Sequence, residues 1–289
     1  MAIKSYKGFD KNLRCRGFQY KIGGIYEMDG KIKMCNRGFH ACESPFDVFD
    51  YYTMIDSRFC EVEQDGNISK WDRGTKICSS KIKIKAELKL ADMINLGVEW
   101  LKEITSPEKI KTSIKDNSSG NYAKIGSSGD EAQIGSSGYG AKIGSSGYGA
   151  KIGSSGNDAQ IGSSGNDAQI GSSGDGAQIG SSGNNAQIGS SGNNAQIGSS
   201  SDGAKISSSG YGAKIDSTGE DCVIMCAGIN SVAKASKGSW ITLSEWSYSE
   251  EKQRYIPICV KTEFVDGEKI KADTYYSLKG GVFVEWIND

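Results

Sequence analysis

The sequence predicts a mostly β protein: a parallel β-solenoid of nonapeptide repeats, flanked by a small α+β N-terminal domain and an antiparallel β C-terminal region. Three observations predict it. A nine-residue phrase of the type YGAKIGSSG recurs twelve times from Asn121 to Gly228. Inside each phrase the apolar residues alternate with polar ones, Ala at the third place and Ile at the fifth around a Lys or Gln at the fourth. The flanks lack the repeat and instead carry longer strand-like alternations and one stretch of helical spacing.

The repeat comes first because it fixes the architecture. Successive side chains on a strand point to opposite faces, so Ala and Ile face inward and Lys or Gln faces outward. Gly, Asn and Asp around them supply turns. Each phrase is thus a short strand and a turn. Two phrases make one coil, and the coils stack in parallel. Six such coils at strand spacing rise roughly 29 Å. One buried Ile contributes about 1.5–3 kcal/mol, whereas ordering each of nine residues costs about 1–2 kcal/mol of backbone entropy. A lone phrase therefore cannot fold, and repetition is what makes the element stable.

A stack of strands has open edges that invite aggregation. Upstream, TSIKDNSSG (112–120) reads as a degenerate leading unit. Downstream, EDCVIMCAG replaces the modest pattern with Val223, Ile224 and Met225 and reads as a cap. The expected boundaries are 1–111 for the N-terminal domain, 112–228 for the solenoid and 229–289 for the C-terminal cap domain.

In the N-terminal domain, GFQYKIGGIYEM suggests a hairpin across Gly23-Gly24. ESPFDVFDYYTM predicts a helix with Ser44 as N-cap, Pro45 in the first position and Phe46, Phe49 and Tyr52 on one side. RFCEVEQ and KIKIKAEL alternate as strands, and LADMINLGVEWLKEI has helical spacing. In the C-terminal region, SWITLSEWSY, RYIPICVKTEFV and TYYSLKGGVFVEW read as strands, with hairpin signals at Asp266-Gly267 and Gly280-Gly281.

Composition narrows the function. Net charge is −1. Residues 1–120 carry 21 Lys/Arg against 17 Asp/Glu, residues 121–228 carry 5 against 9, and residues 229–289 carry 8 against 9. No segment has the basic excess of a nucleic-acid binder, so direct nucleic-acid binding is not expected. No apolar run approaches bilayer length, and the opening MAIKSYKGFDKNLRC has no apolar stretch of the signal-peptide type. A cytoplasmic protein with no membrane contact is expected. The eight cysteines form no CxxC pair and read as reduced thiols.

The outward ladder is the leading candidate surface: Lys124, Gln133, Lys142, Lys151, Gln160, Gln169, Gln178, Gln187, Gln196, Lys205 and Lys214. It is either a flat repetitive binding face or the solvated wall of a spacer. Ice binding lacks its Thr ladder, and calcium rolls use a GGxGxD-type phrase that is absent here. Among chemical candidates, Cys35, His40 and Cys42 in CNRGFHAC are good zinc ligands by type, with Cys60 or Cys78 as further donors, but the spacing of a four-ligand site is incomplete. Cys15 or Cys42 beside His40 is a candidate nucleophile pair. Neither a GxxxxGK[ST] phrase nor a strand-to-helix GxGxxG occurs. No cofactor is expected for the leading reading.

Two resemblances add to this. KNLRCRGFQYKIGGIYE, RGFHACESPFDVFDYY and SRFCEVEQDG, with KGSWITLSEW and VDGEKIKADTYYSL downstream, resemble an uncharacterised family found mainly in phages and prophages. It covers nearly the whole chain, although the uniform AxIGSSG units depart from the more varied repeats of such proteins. The resemblance implies a phage-encoded protein acting in a bacterial cytoplasm. For such a protein without evident chemistry, the expected role is binding a host protein or ribonucleoprotein complex, such as a CRISPR nuclease, to inhibit a defence system. Separately, YKGF, RGFHACESPFDVFDYY and CEVEQ are loosely similar to the layout of ADP-ribosyltransferases. That similarity implies Glu61 and Glu63 as an ExE pair acting on a nicotinamide dinucleotide, with the solenoid as a spacer. The early Arg or His of such enzymes is not evident here. A structural virion component is the remaining alternative.

Overall fold

A computed structural model describes residues 2–72, 74–105 and 120–287. The chain divides into two compact units, residues 1–100 and 101–289.

The first unit is built on strands β1 (Ile3–Phe9), β2 (Arg14–Cys15), β3 (Phe18–Gln19), β4 (Ile25–Glu27), β5 (Phe39–Cys42), β6 (Arg58–Lys70) and β7 (Lys76–Leu88); helix α1 (Leu90–Ile104) follows, and the boundary between the units falls within it. The main sheet runs β4-β7-β5-β1-β6, and β6 also pairs with β7. β7, β5, β1 and β6 therefore close into a ring. Phe9, Leu13, Phe39, Val62, Ile82 and Ile84 form one of its cores. Gln64 is fully buried among them. Its amide donates to the Phe39 carbonyl at 2.9 Å and the Ser79 hydroxyl at 3.2 Å, and its Oε1 accepts from Ser5 at 2.9 Å. One polar side chain thus ties four strands together.

The predicted helix Leu90–Ile104 and both long strands form as expected. Two local expectations are corrected. The hairpin lies not at Gly23-Gly24 but upstream, where β2 pairs with β3 across Arg16 and Gly17. Both turn residues have positive φ, 50° and 78°, the twist that a two-residue hairpin requires. β4 pairs with β7 instead. The ESPFDVFDYYTM segment forms only a short 3-10 helix, Phe46–Asp50. Ser44 does accept the Asp47 amide at 3.4 Å, but Asp47 is also bound to the Thr75 hydroxyl at 2.7 Å. That tether, with Phe46, Val48 and Phe49 all buried, fixes one turn and leaves Tyr52 over Gly8.

The second unit is the parallel β-solenoid. Each nonapeptide contributes one four-residue strand, from Lys124–Ser127 to Val223–Cys226. Strands pair with the one 18 residues away in strict register, as in Ile143↔Ile161 and Ile161↔Ile179. Alternate phrases therefore belong to two different sheets. Ala and Ile fill the interior: Ala141 to Ala213 and Ile143 to Ile215 are buried throughout. The second place of each phrase has positive φ, as at Gly140 and Asn185, which is why Gly, Asn and Asp dominate it. The first-place Asx side chain caps the coil above: Asn157 Oδ1 accepts from Asp175 N at 3.0 Å and Asp175 Oδ1 from Asn193 N at 2.7 Å.

The stack runs past Gly228. Val232–Ala235 pairs in parallel with Lys214–Ser217, and Trp240–Ser249 pairs in parallel with Val223–Cys226. This gives about seven turns, where twelve phrases alone give six. EDCVIMCAG is therefore an ordinary rung: Cys222, Ile224 and Cys226 occupy the inward places, while Val223 and Met225 point out. The downstream edge is closed by antiparallel strands, Arg254–Phe264 on one sheet and Tyr276–Lys279 on the other. Because these pair directly with the last parallel rungs, solenoid and C-terminal region form one unit rather than parting at residue 228. The expected leading unit, 112–120, lies outside the described residues but for Gly120.

Candidate functional site

The first unit contains a cleft of about 840 Å³. It arises because β1 and β5 share a single register pair, Tyr6↔Cys42, so the two strands diverge. Lys7 is buried in the gap and donates to the freed carbonyl of His40 at 3.0 Å and to Cys15 Sγ at 3.5 Å. The Tyr52 hydroxyl donates to the same sulfur at 3.1 Å. Burial pulls the Lys7 ammonium below its usual range. The walls are Phe18, Tyr20 and Tyr26, packed edge-on with centroids 4.9–5.5 Å apart, and Tyr51, whose ring lies 4.0 Å from Lys76 Nζ.

The cleft brings together Cys15, Cys35, His40 and Cys42. His40 Nε2 accepts the Cys35 amide at 2.9 Å, which occupies the lone pair a metal or a thiol proton would need. Cys15 is bonded by Lys7 and Tyr52 instead. Among the described residues no three His, Cys, Asp or Glu side chains are placed to hold a metal. Burial first, then the nearby Lys76, Lys7 and Arg16 charges, push His40 down to about 4. The neutral ring is thus the native form. A free His binds a proton near pH 6.5, so the unfolded chain holds more protons between about 6.5 and 4, and stability falls as pH falls through that window. Thermal melts of the protein and of His40→Gln are expected to diverge there, with the variant the less acid-sensitive.

Glu61 and Glu63 lie elsewhere. Glu61 is paired with Lys4 at 2.9 Å and Glu63 with Lys85 at 2.7 Å, and neither lines the cleft. The Lys85 hydrogen bond holds the Glu63 carboxyl below its usual range.

In the second unit the eleven-residue ladder separates into two rows. Gln133, Lys151, Gln169, Gln187 and Lys205 stand exposed on one sheet. On the other sheet Lys142 and Gln160 are buried and Gln178, Gln196 and Lys214 half-buried, with Lys214 Nζ 4.3 Å from the Tyr275 ring; only Lys124 is exposed. The expected single face is thus half withdrawn from solvent. The open sheet carries a shallow trough of about 970 Å³. Its floor is Gly135, Gly153, Gly171 and Gly189, the outward third residues of their strands, and above the first three there is open space. Val223 and Met225 continue the rows, followed by Trp240, whose ring lies 5.0 Å from Phe264. All four are exposed. The unusual EDCVIMCAG phrase was the sequence signal for this apolar end, while its neighbour Phe264 had none.

The cleft lies within a recognisable module. Residues 3–96 match the family model of a domain of unknown function, DUF7666. The match covers less than half of the chain and ends before the solenoid. No curated protein and no solved structure matches the chain. Among the described residues, no helix is long and apolar enough to cross a membrane.

Proposed function

We propose that the chain is a non-enzymatic interaction protein that binds an acidic protein surface along the open face of its solenoid. The observation that carries this is the uncovered face itself: a flat glycine-floored trough, with Lys151 and Lys205 as its charges, ending in exposed Val223, Met225, Trp240 and Phe264. No carboxylate lines the trough. Exposed apolar groups grouped at one end of a polar face mark interaction sites rather than spacers. Two positive charges over this length are too few for a nucleic-acid track.

The finer reading places the chain in the cytoplasm of a phage-infected or lysogenic bacterium, with a host protein or ribonucleoprotein complex as partner. A defence machine such as a CRISPR nuclease fits it. What supports this step is the resemblance of the flanking phrases to phage and prophage proteins, together with the absence of evident catalysis in the ladder.

The test fills the trough without touching the core. Gly153 and Gly171 point outward into open space, so Gly153→Glu with Gly171→Glu leaves the stack intact while filling the trough and opposing an acidic partner. A partner identified by capture from bacterial lysate, then purified, is expected to bind the parent chain and lose at least about tenfold in affinity to the double variant. A Lys252→Glu control on an exposed turn keeps full binding. Equal binding by the trough-filled variant reduces the solenoid to a spacer.

A further inference from the structure

The N-terminal cleft is lined by cations and half-open aromatic rings. We propose that it binds a flat aromatic anion of the nucleoside-phosphate class, with the phosphates against Arg16 and Lys76 and the base stacked on Phe18.

The charge pattern is the first argument. Lys7, Arg16, Arg37 and Lys76 line the cleft, against one carboxylate, Glu27, which is already paired with Lys81 at 3.2 Å. Among the described residues none of these four cations has an acidic partner. Lys7 meets a sulfur and a carbonyl, and Arg37 donates to the Asp29 and Lys31 carbonyls. Lys76 meets Cys35 Sγ at 3.6 Å and the Tyr51 and Trp71 rings. Uncompensated cations around a concave, partly dry volume attract an anion far more strongly than they would in bulk water. Burial also pulls Lys7 below its ordinary range, and an anion above it would restore the charged form.

The walls are the second argument. Tyr20 and Tyr26 hold the Phe18 ring by T-shaped contacts, yet half of that ring remains open at the mouth. Tyr51 is likewise half exposed, with Lys76 over its ring. A rigid aromatic left open beside arginine and lysine suits a planar heterocycle joined to phosphate. The cleft volume lies within the usual range for small-molecule sites. The backbone prepares the mouth as well. Arg16 occupies the first turn position of the β2-β3 hairpin with φ of 50°, a conformation that costs free energy in a non-glycine residue. Its side chain is exposed at the rim.

Isothermal titration of the full chain with adenosine 5′-diphosphate, pyrophosphate and adenosine tests the site. The diphosphate is expected to bind one to one, at least about tenfold tighter than either half. Arg16→Gly relieves the positive φ, so it removes the charge without straining the fold, and Lys76→Gln acts at an accessible position. Each is expected to weaken the diphosphate about tenfold at unchanged melting temperature. Phe18→Ala is expected to weaken the diphosphate and leave pyrophosphate unaffected. Pyrophosphate binding as tightly as the diphosphate would reduce the cleft to a plain anion site and overturn the proposal. So would no saturable binding up to about 1 mM, or full affinity in both charge variants.

Discussion

Ile179→Ala is expected to destabilise the solenoid by about 2–5 kcal/mol, the usual cost of deleting a buried branched side chain and leaving part of its cavity. Ile179 is fully buried and stacks in register between Ile161 and Ile197. The backbone ladder holds these neighbours at fixed strand spacing, so the interior cannot collapse around the gap. In a linear stack each rung contacts only its neighbours, and a weak central rung separates the two halves. Ile134, half-buried near the upstream end, loses less surface and supports fewer rungs. Ile134→Ala is therefore expected to cost about 1 kcal/mol. Urea melts of the two variants check the gradient. Equal losses would show that the stack does not behave as a one-dimensional array.

Gln64→Ala is the second large effect, confined to the first unit. The amide satisfies the Phe39 carbonyl and the Ser79 hydroxyl while accepting from Ser5, all inside the strand ring. Truncation takes this partner from the Phe39 carbonyl and leaves Ser5 and Ser79 only their bonds to the Ile3 and Lys81 carbonyls, and a buried group left short of a partner costs about 1–3 kcal/mol. The lost volume adds a cavity. A total of about 4 kcal/mol is large against ordinary domain stability. Proteolysis and circular dichroism are expected to show residues 1–100 opening while the solenoid signal persists. Gln64→Glu separates packing from hydrogen bonding: it keeps the shape but loses the donor to Phe39, and is expected to be nearly as damaging. A Gln64→Ala protein as stable as the parent would show that the buried amide contributes little.

The repeat was legible almost completely. Alternation of Ala, Lys or Gln, and Ile within nine residues dictates which side chains enter the core. Gly, Asn and Asp mark the turns, and the structure puts the second place of each phrase at positive φ; the split of the ladder between two sheets, although it follows from two phrases per coil, was not read from the sequence, which offered it as one face. The N-terminal cleft was not legible. Lys7, Arg16 and Lys76 are 9 and 60 residues apart in sequence, and nothing local says that β1 and β5 diverge after one register pair. The CNRGFHAC cluster drew attention to the right neighbourhood for a different reason: His40 is there to accept an amide and release a carbonyl to Lys7. Glu61 and Glu63 show the converse. Their alternation on a strand is visible, but only the register places Lys4 and Lys85 beside them.

The sequence by itself determined the period, the inward rows and the chirality-linked turn residues, because these depend on backbone geometry within nine residues. Only the tertiary structure decided that one ladder row is open and the other withdrawn. It also decided that Val232–Ala235 and Trp240–Ser249 add rungs despite a degenerate phrase, and that a cationic cleft opens in the first unit. Each of these depends on contacts between segments far apart in the chain, where burial and strand pairing override the local pattern.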